Sequence, residues 1–117
     1  NFIKIAQSEK SDSMILCVPN GNAINGLLPT DIVEITCDIN KNGAVPHRME
    51  DIDEQNLELI RRVKIYERLS SEAIRENSIQ KAVEALTLHP LVNSYSLAKK
   101  LVESYNELNK EYTGGWH

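Results

Sequence analysis

The chain has 117 residues, 41% of them hydrophobic, and a net charge of −4, enough for one domain with a modest core. Its 13 basic and 17 acidic residues are interspersed, so it lacks the basic stripe that a nucleic acid or an anionic membrane surface requires. No apolar run approaches a membrane span, no signal-peptide pattern is present, and the two cysteines form no disulfide-dense framework. These features predict a cytoplasmic chain with neither nucleic acid nor membrane as partner.

With one Phe and one Trp, the core must rest on Leu, Ile, Val and Ala. The first residue is Asn1, and Phe2-Ile3-Lys4-Ile5-Ala6 reads as the tail of an element already under way. Missing upstream sequence, or a processed or tagged chain, fits this start. Residues 2–9 predict a short amphipathic helix, and Ser11-Asp12-Ser13 a polar break. Met14-Ile15-Leu16-Cys17-Val18 is a continuous apolar run stopped by Pro19, the pattern of a strand buried on both faces. The Asn- and Gly-rich stretch from Asn20 to Pro29 predicts a loop. A second strand is expected from Asp31 to Ile39, with Val33, Ile35 and Cys37 on one face and Glu34 and Thr36 on the other. Asn40-Lys41-Asn42-Gly43 predicts a hairpin turn, and Pro46 confines the return strand to an edge or a short stretch.

From Asp53 the periodicity becomes helical, with Asp51 or Asp53 as cap and an end near Glu76. The apolar positions of this helix include Leu59, Ile60, Val63, Ile65, Leu69 and Ile74, and they cover more than half its circumference. A stripe that wide predicts a second buried contact, with another domain or subunit, and homo-oligomerisation through this helix. Asn77 breaks the pattern and Ser78 caps a helix through Leu88, which His89-Pro90 ends. A last helix starts at Ser94 or Ser96 and stops at Thr113-Gly114-Gly115. No repeat and no dividing linker is present, so residues 1–117 are read as a single α+β domain.

Motifs that carry chemistry are scarce. Gly21 and Gly26 are too far apart for a dinucleotide fingerprint and do not open a helix. Cys17 and Cys37, on neighbouring strands, read as small buried hydrophobes or as a metal or redox pair, and no His stands at ligand spacing from either. His47 reads as a solvated loop residue or one facing a ligand, and His89 as a cation favoured at a helix C-terminus. His117 is expected to be disordered. Asp31 and Glu34 read as a cap, a surface ion pair or a catalytic pair. The tyrosines read as core or interface residues. No Ser-His-Asp arrangement follows from spacing.

Several blocks together resemble a known family. They are Val18-Pro19-Asn20-Gly21-Asn22-Ala23-Ile24, Leu28-Pro29-Thr30-Asp31, Val33-Glu34-Ile35-Thr36-Cys37 and Asn42-Gly43-Ala44-Val45-Pro46, then Tyr66-Glu67-Arg68-Leu69-Ser70-Ser71-Glu72-Ala73 and the run from Ala82 to Val92. In order and spacing these resemble the C-terminal part of glycoside hydrolase family four enzymes. An extra residue in Gly26-Leu27-Leu28-Pro29, Thr36 in place of a Pro, and Pro46-His47-Arg48-Met49 in place of a mostly apolar segment depart from that pattern.

The resemblance implies a lactate/malate dehydrogenase-like C-terminal fold, with short antiparallel strands followed by long helices. It also implies a larger parent whose N-terminal Rossmann domain is absent here. That parent would be a 6-phospho-glycosidase, with the β form expected, acting on phosphorylated disaccharides with NAD and a divalent metal, manganese. Its scheme is oxidation at C3, elimination and re-reduction, an exception to two-carboxylate hydrolysis. The fragment is expected to hold no catalytic, cofactor-binding or metal residue and to be inactive alone. Asn20 and Asn22 are expected at the rim of the substrate pocket, where amides can meet sugar hydroxyls. The alternatives are a freestanding oligomerisation module and the C-terminal domain of a malate or lactate dehydrogenase-like enzyme.

Overall fold

The computed structural model describes residues 2–7 and 11–117, apart from the side chains of Phe2 and Ala6. The far end of the expected 2–9 helix lies outside the described residues. The chain forms two compact units, Asn1–Asp53 and Glu54–His117.

The first unit holds α1 (Phe2–Ala6), β1 (Asp12–Pro19), β2 (Ile32–Asn40) and β3 (Gly43–Pro46). The strands form one antiparallel sheet in the order β1-β2-β3. β1 pairs β2 from Asp12↔Ile39 to Pro19↔Ile32, and β3 returns along β2 from Asn40↔Gly43 to Cys37↔Pro46. Gly43 sits at φ +118°, a conformation that only glycine adopts without strain, and this sets the hairpin register. The period-2 expectation for β2 holds, since Val33, Ile35, Cys37 and Ile39 are buried while Glu34 and Asp38 are exposed.

The apolar run in β1 behaves differently. Met14, Leu16 and Val18 are half-buried, whereas Ile15 and Cys17 are exposed, so the strand is not buried on both faces. Leu16, Val18, Ile24 and Leu27 pack around Ala23, Val33, Ile35 and Cys37, which covers one side of the sheet with the loop between β1 and β2. The other side carries Ile15, Ile32 and Val45, each half to two-thirds exposed.

The second unit is three helices, α2 (Glu54–Glu76), α3 (Ile79–Leu88) and α4 (Tyr95–Thr113). Ser78 and Ser94 are N-caps, accepting the backbone N–H of Lys81 and Leu97 respectively, each at 3.4 Å. Ser94 rather than Ser96 therefore starts α4. Gly114, at φ +76°, ends it in a left-handed cap whose N–H donates to the Lys110 carbonyl. The helices approach through small residues: Ala73, Val83, Ala85 and Ala98 are buried, one or two from each helix. Lys81 of α3 ties back to α2 through Glu76 at 2.7 Å and Glu72 at 3.1 Å.

His89 caps α3 with its ring edge-on to Tyr66 at 4.7 Å, and its Nδ1 accepts the Leu91 N–H at 3.2 Å, which shapes the turn after the helix. The C-terminal tail departs from expectation. His117 is held at both backbone groups: its N–H donates to the Asn77 carbonyl and its carbonyl accepts the Ile79 N–H. The Asn106 amide pins the preceding residue, accepting the Trp116 N–H at 2.9 Å and donating to its carbonyl at 3.4 Å. An amide can reproduce a backbone pairing in this way, so the tail is ordered.

Candidate functional site

The loop from Asn20 to Asp31 is the most organised polar feature of the sheet unit. Asn20 is 1% exposed and Asp31 5%. Burial of two such groups is tolerable only if each finds partners. The Asn20 Oδ1 accepts the Ile24 N–H at 2.8 Å, and its Nδ2 donates to the carbonyls of Ile24 and Leu28 at 3.2 and 3.3 Å. The Asn20 N–H donates to the Asp31 carbonyl at 2.7 Å, which closes the loop at its base. The Asp31 Oδ2 accepts the Leu28 N–H at 2.9 Å. Gly21, at φ +56°, lets the chain reverse so that its N–H reaches the Pro29 carbonyl. Ala23 and Ile24 then run beside Met49, whose N–H donates to the Ala23 carbonyl at 2.8 Å.

The amide of Asn20 is thus committed inside the loop, while Asn22, two residues on, is exposed. Asp31 and Glu34 serve different ends. Asp31 is a buried loop clamp, and Glu34 projects from the open side of β2 opposite Cys17. The cysteines are on opposite sides of the sheet, Cys37 buried and Cys17 exposed, so they form no pair. Cys17 is therefore not the buried hydrophobe that its apolar neighbours suggested. Among the described residues no group of three or more His, Cys, Asp or Glu side chains converges on a point where a metal ion could sit.

A second cluster was not read from the sequence. On the open side of the sheet, the Asp38 carboxylate accepts the Ser13 hydroxyl at 2.8 Å, and His47 Nε2 lies 2.8 Å from the same oxygen. His47 is placed there because its N–H donates to the Thr36 carbonyl, one step beyond the Cys37↔Pro46 pair. Counting the hairpin outward from Asn40-Lys41-Asn42-Gly43 would have found this. Its order is Ser to Asp to His with the carboxylate in the middle. The hydroxyl donates to Asp rather than to His, so the cluster is not a nucleophile–base arrangement. It joins β1, β2 and the end of β3.

The hydrogen bonds from His47 and Ser13 hold the Asp38 carboxyl below its ordinary value of 3.8. A carboxylate depressed on folding adds stability above its unfolded value, and that stability is lost as pH falls through the lowered folded value. Asp38→Asn is therefore expected to flatten the acid limb of the stability curve below about pH 4. Urea titrations of both proteins across that limb check this, and equal acid slopes would refute it.

A short antiparallel sheet with a clamped Asn-rich loop and a following helical unit makes this an α+β module. The chain belongs to the family whose description is "Family 4 glycosyl hydrolase C-terminal domain", which matches residues 1–92. It is 36% identical over 101 residues to a maltose-6'-phosphate glucosidase of Clostridium acetobutylicum, covering 86% of this chain and 23% of that protein. The fold superposes on a crystal structure of a 6-phospho-alpha-glucosidase from gut microorganisms in complex with NAD and glucose-6-phosphate. The TM-score is 0.86 at 29% identity, over 99% of this chain and 26% of the other. It also superposes on the 6-phospho-beta glucosidase of Thermotoga maritima with manganese, NAD+ and glucose-6-phosphate. Here the TM-score is 0.85 at 29% identity, over 99% and 28% of the two chains. The chain spans about a quarter of the length of these relatives.

Proposed function

We propose that residues 1–117 act as one C-terminal domain of an NAD- and manganese-dependent 6-phospho-glycosidase, completing its substrate pocket while an N-terminal Rossmann part carries the chemistry. The observation that supports this most is the superposition of 99% of the chain on about a quarter of solved phospho-glucosidases of both anomeric types. In the parent, NAD supplies the redox capacity for oxidation at C3, elimination and re-reduction, and the metal supplies Lewis acidity. This chain's part is positional. Asn20 fixes the backbone of the loop from within, and Asn22, exposed beside it, is the residue proposed to reach the rim and meet a sugar hydroxyl or the phosphate of a phosphorylated disaccharide. The β anomer is the proposed substrate, and the cytoplasm, where phosphorylated sugars are made and consumed, the proposed location.

Two uncovered apolar surfaces support a larger assembly. One is the open side of the sheet with Ile15, Ile32 and Val45, and the other is on α2, where Leu59 and Ile74 are exposed on one side of the helix and Ile65 on another. Faces of this kind are buried in assembled proteins. The first is proposed to meet the Rossmann part, and the second another domain or subunit of a homo-oligomer.

The test is turnover of chromogenic 6-phospho-α- and 6-phospho-β-glucosides with NAD+ and manganese. The isolated chain is expected to give none, and the enzyme that contains it is expected to cleave the β compound faster. Turnover by the isolated chain would overturn the assignment of chemistry to another part. A preference for the α compound would overturn the anomeric reading alone.

A further inference from the structure

Three asparagines of the first unit are each followed by glycine: Asn20-Gly21, Asn25-Gly26 and Asn42-Gly43. Such a pair carries its own chemistry. The glycine nitrogen can attack the asparagine Cγ, because no side chain blocks the approach and the backbone turns freely to bring the two together. How firmly the fold holds the amide and that nitrogen decides the rate. At Asn20 both are held. The side chain is 1% exposed and makes three hydrogen bonds, and the Gly21 N–H donates to the Pro29 carbonyl at 2.9 Å. Asn25 is exposed, but the backbone around it is fastened: Asn20 holds the carbonyls of Ile24 and Leu28, and Met49 holds that of Ala23. Asn42 lies exposed in the hairpin turn. Its backbone N–H donates to the Asn40 Oδ1 at 2.8 Å, a bond that leaves the Asn42 side-chain amide in water. The Gly43 nitrogen stands at the end of the ladder. The bond from the His47 N–H to the Thr36 carbonyl marks that pair as hydrogen-bonded, and counting in twos makes Asn40↔Gly43 the last such rung. A terminal rung frays at little cost in free energy, whereas a clamped loop opens only with the structure around it.

We propose that Asn42 is the chain's site of spontaneous deamidation, and that the isoaspartate formed there loosens the return strand and, through it, the loop of Asn20. The Gly43 nitrogen bonds to the Asn42 Cγ, the Cγ–Nδ2 bond breaks, and ammonia leaves with the proton that the Gly43 nitrogen gives up. Water then opens the resulting succinimide at one of its two carbonyls. Opening at the main-chain carbonyl leaves isoaspartate, whose main chain runs through the side-chain carbon. Water is the sole co-reactant, and nothing is oxidised or reduced. The extra main-chain carbon falls in the turn from which the β2–β3 register is counted. From that turn the chain leads to His47, tied to Thr36 and Asp38, and then to Met49, tied to Ala23 in the loop. An isoaspartate here is a substrate for the class of methyltransferase that esterifies isoaspartyl carboxylates. The inference stands apart from the catalytic reading.

Incubating the chain at neutral pH and mapping it by tandem mass spectrometry tests this. Cleavage after glutamate places Asn42 in the peptide 35–50 and Asn20 and Asn25 in the peptide 10–34. Each conversion adds about one mass unit. In the folded chain Asn42 is expected to convert at least about tenfold faster than Asn20, and ahead of Asn25. In concentrated urea the three rates are expected to fall within about threefold of one another, because the fold imposes the difference. Labelled methyl transfer by an isoaspartyl methyltransferase is expected to rise with the Asn42 signal. Asn42→Gln is expected to remove both signals, since the longer side chain closes its ring far more slowly, and circular dichroism checks that this variant keeps its fold. Amide hydrogen exchange at His47 and Met49 is expected to quicken by at least about threefold in the converted chain, and not in Asn42→Gln incubated for the same time. A folded chain in which Asn42 converts no faster than Asn20, or in which Asn25 converts first, overturns the assignment of the site. Unchanged exchange at His47 and Met49 in the converted chain overturns the link to the loop.

Discussion

Asn20→Ala is expected to destabilise the sheet unit by about 3 kcal/mol, a large effect for a loop position. The truncation removes three hydrogen bonds made by one side chain, to the Ile24 N–H and to the carbonyls of Ile24 and Leu28, at a site that is 1% exposed. A buried amide is worth most where its loss leaves several backbone groups without partners, and water reaches this position poorly. Asn20→Asp probes the same geometry from the other side. The acceptor for the Ile24 N–H survives, but the donor becomes a second oxygen facing two carbonyls. The introduced carboxyl is then favoured in its protonated form in the fold, so this variant is expected to lose more stability at pH 7 than at pH 4. Urea unfolding at the two pH values decides both. A loss under about 0.5 kcal/mol for Asn20→Ala would mean that the loop is not organised by this side chain. If the loop forms the pocket rim, Asn20→Ala in the parent enzyme also weakens substrate binding, although Asn20 itself points inward.

Ile39→Ala is expected to cost about 2–5 kcal/mol, the range for deleting a large aliphatic side chain from a closed core. Ile39 is 1% exposed and is among the largest fully buried side chains of the chain. Ile15→Ala is the informative companion. Ile15 is on the neighbouring strand but on the open side of the sheet, so truncating it in the isolated chain is expected to change stability by no more than about 0.5 kcal/mol. In the parent enzyme the same change is expected to cost as much as a core truncation, because that side is proposed to be covered there. Thermal unfolding of the isolated chain and of the parent, each with and without Ile15→Ala, gives the comparison. An equal, small effect in both contexts would show that the open side of the sheet stays in water.

Much of the secondary structure is written locally. The Asn-Gly turn, the alternation through β2, Ser78 and Ser94 before their helices, and Gly114 after the last one each act through the few residues around them. The observed α2, Glu54–Glu76, matches an expectation built only from spacing. The resemblance blocks are also local, and they were enough to identify the family. The candidate site was less legible. Asn20 and Asn22 stood out as one Asn-rich loop, yet two steps of chain separate a buried clamp from an exposed amide. Nothing in the composition of the loop distinguishes them. The hairpin register that joins Ser13, Asp38 and His47 was available in principle, since antiparallel pairing can be counted outward from the turn.

The succession of short antiparallel strands and long helices was determined by the sequence alone, because turns, caps and periodicity are properties of neighbouring residues. Only the tertiary structure decided which polar side chains turn inward, that Cys17 and Cys37 are parted by the thickness of the sheet, and that the tail folds back onto Asn106. Those outcomes depend on groups far apart in the chain competing for the same buried hydrogen bonds and the same apolar space. The apolar run of β1 shows the boundary between the two: its composition calls for burial on both sides, but a sheet face is buried only when something else is there to cover it.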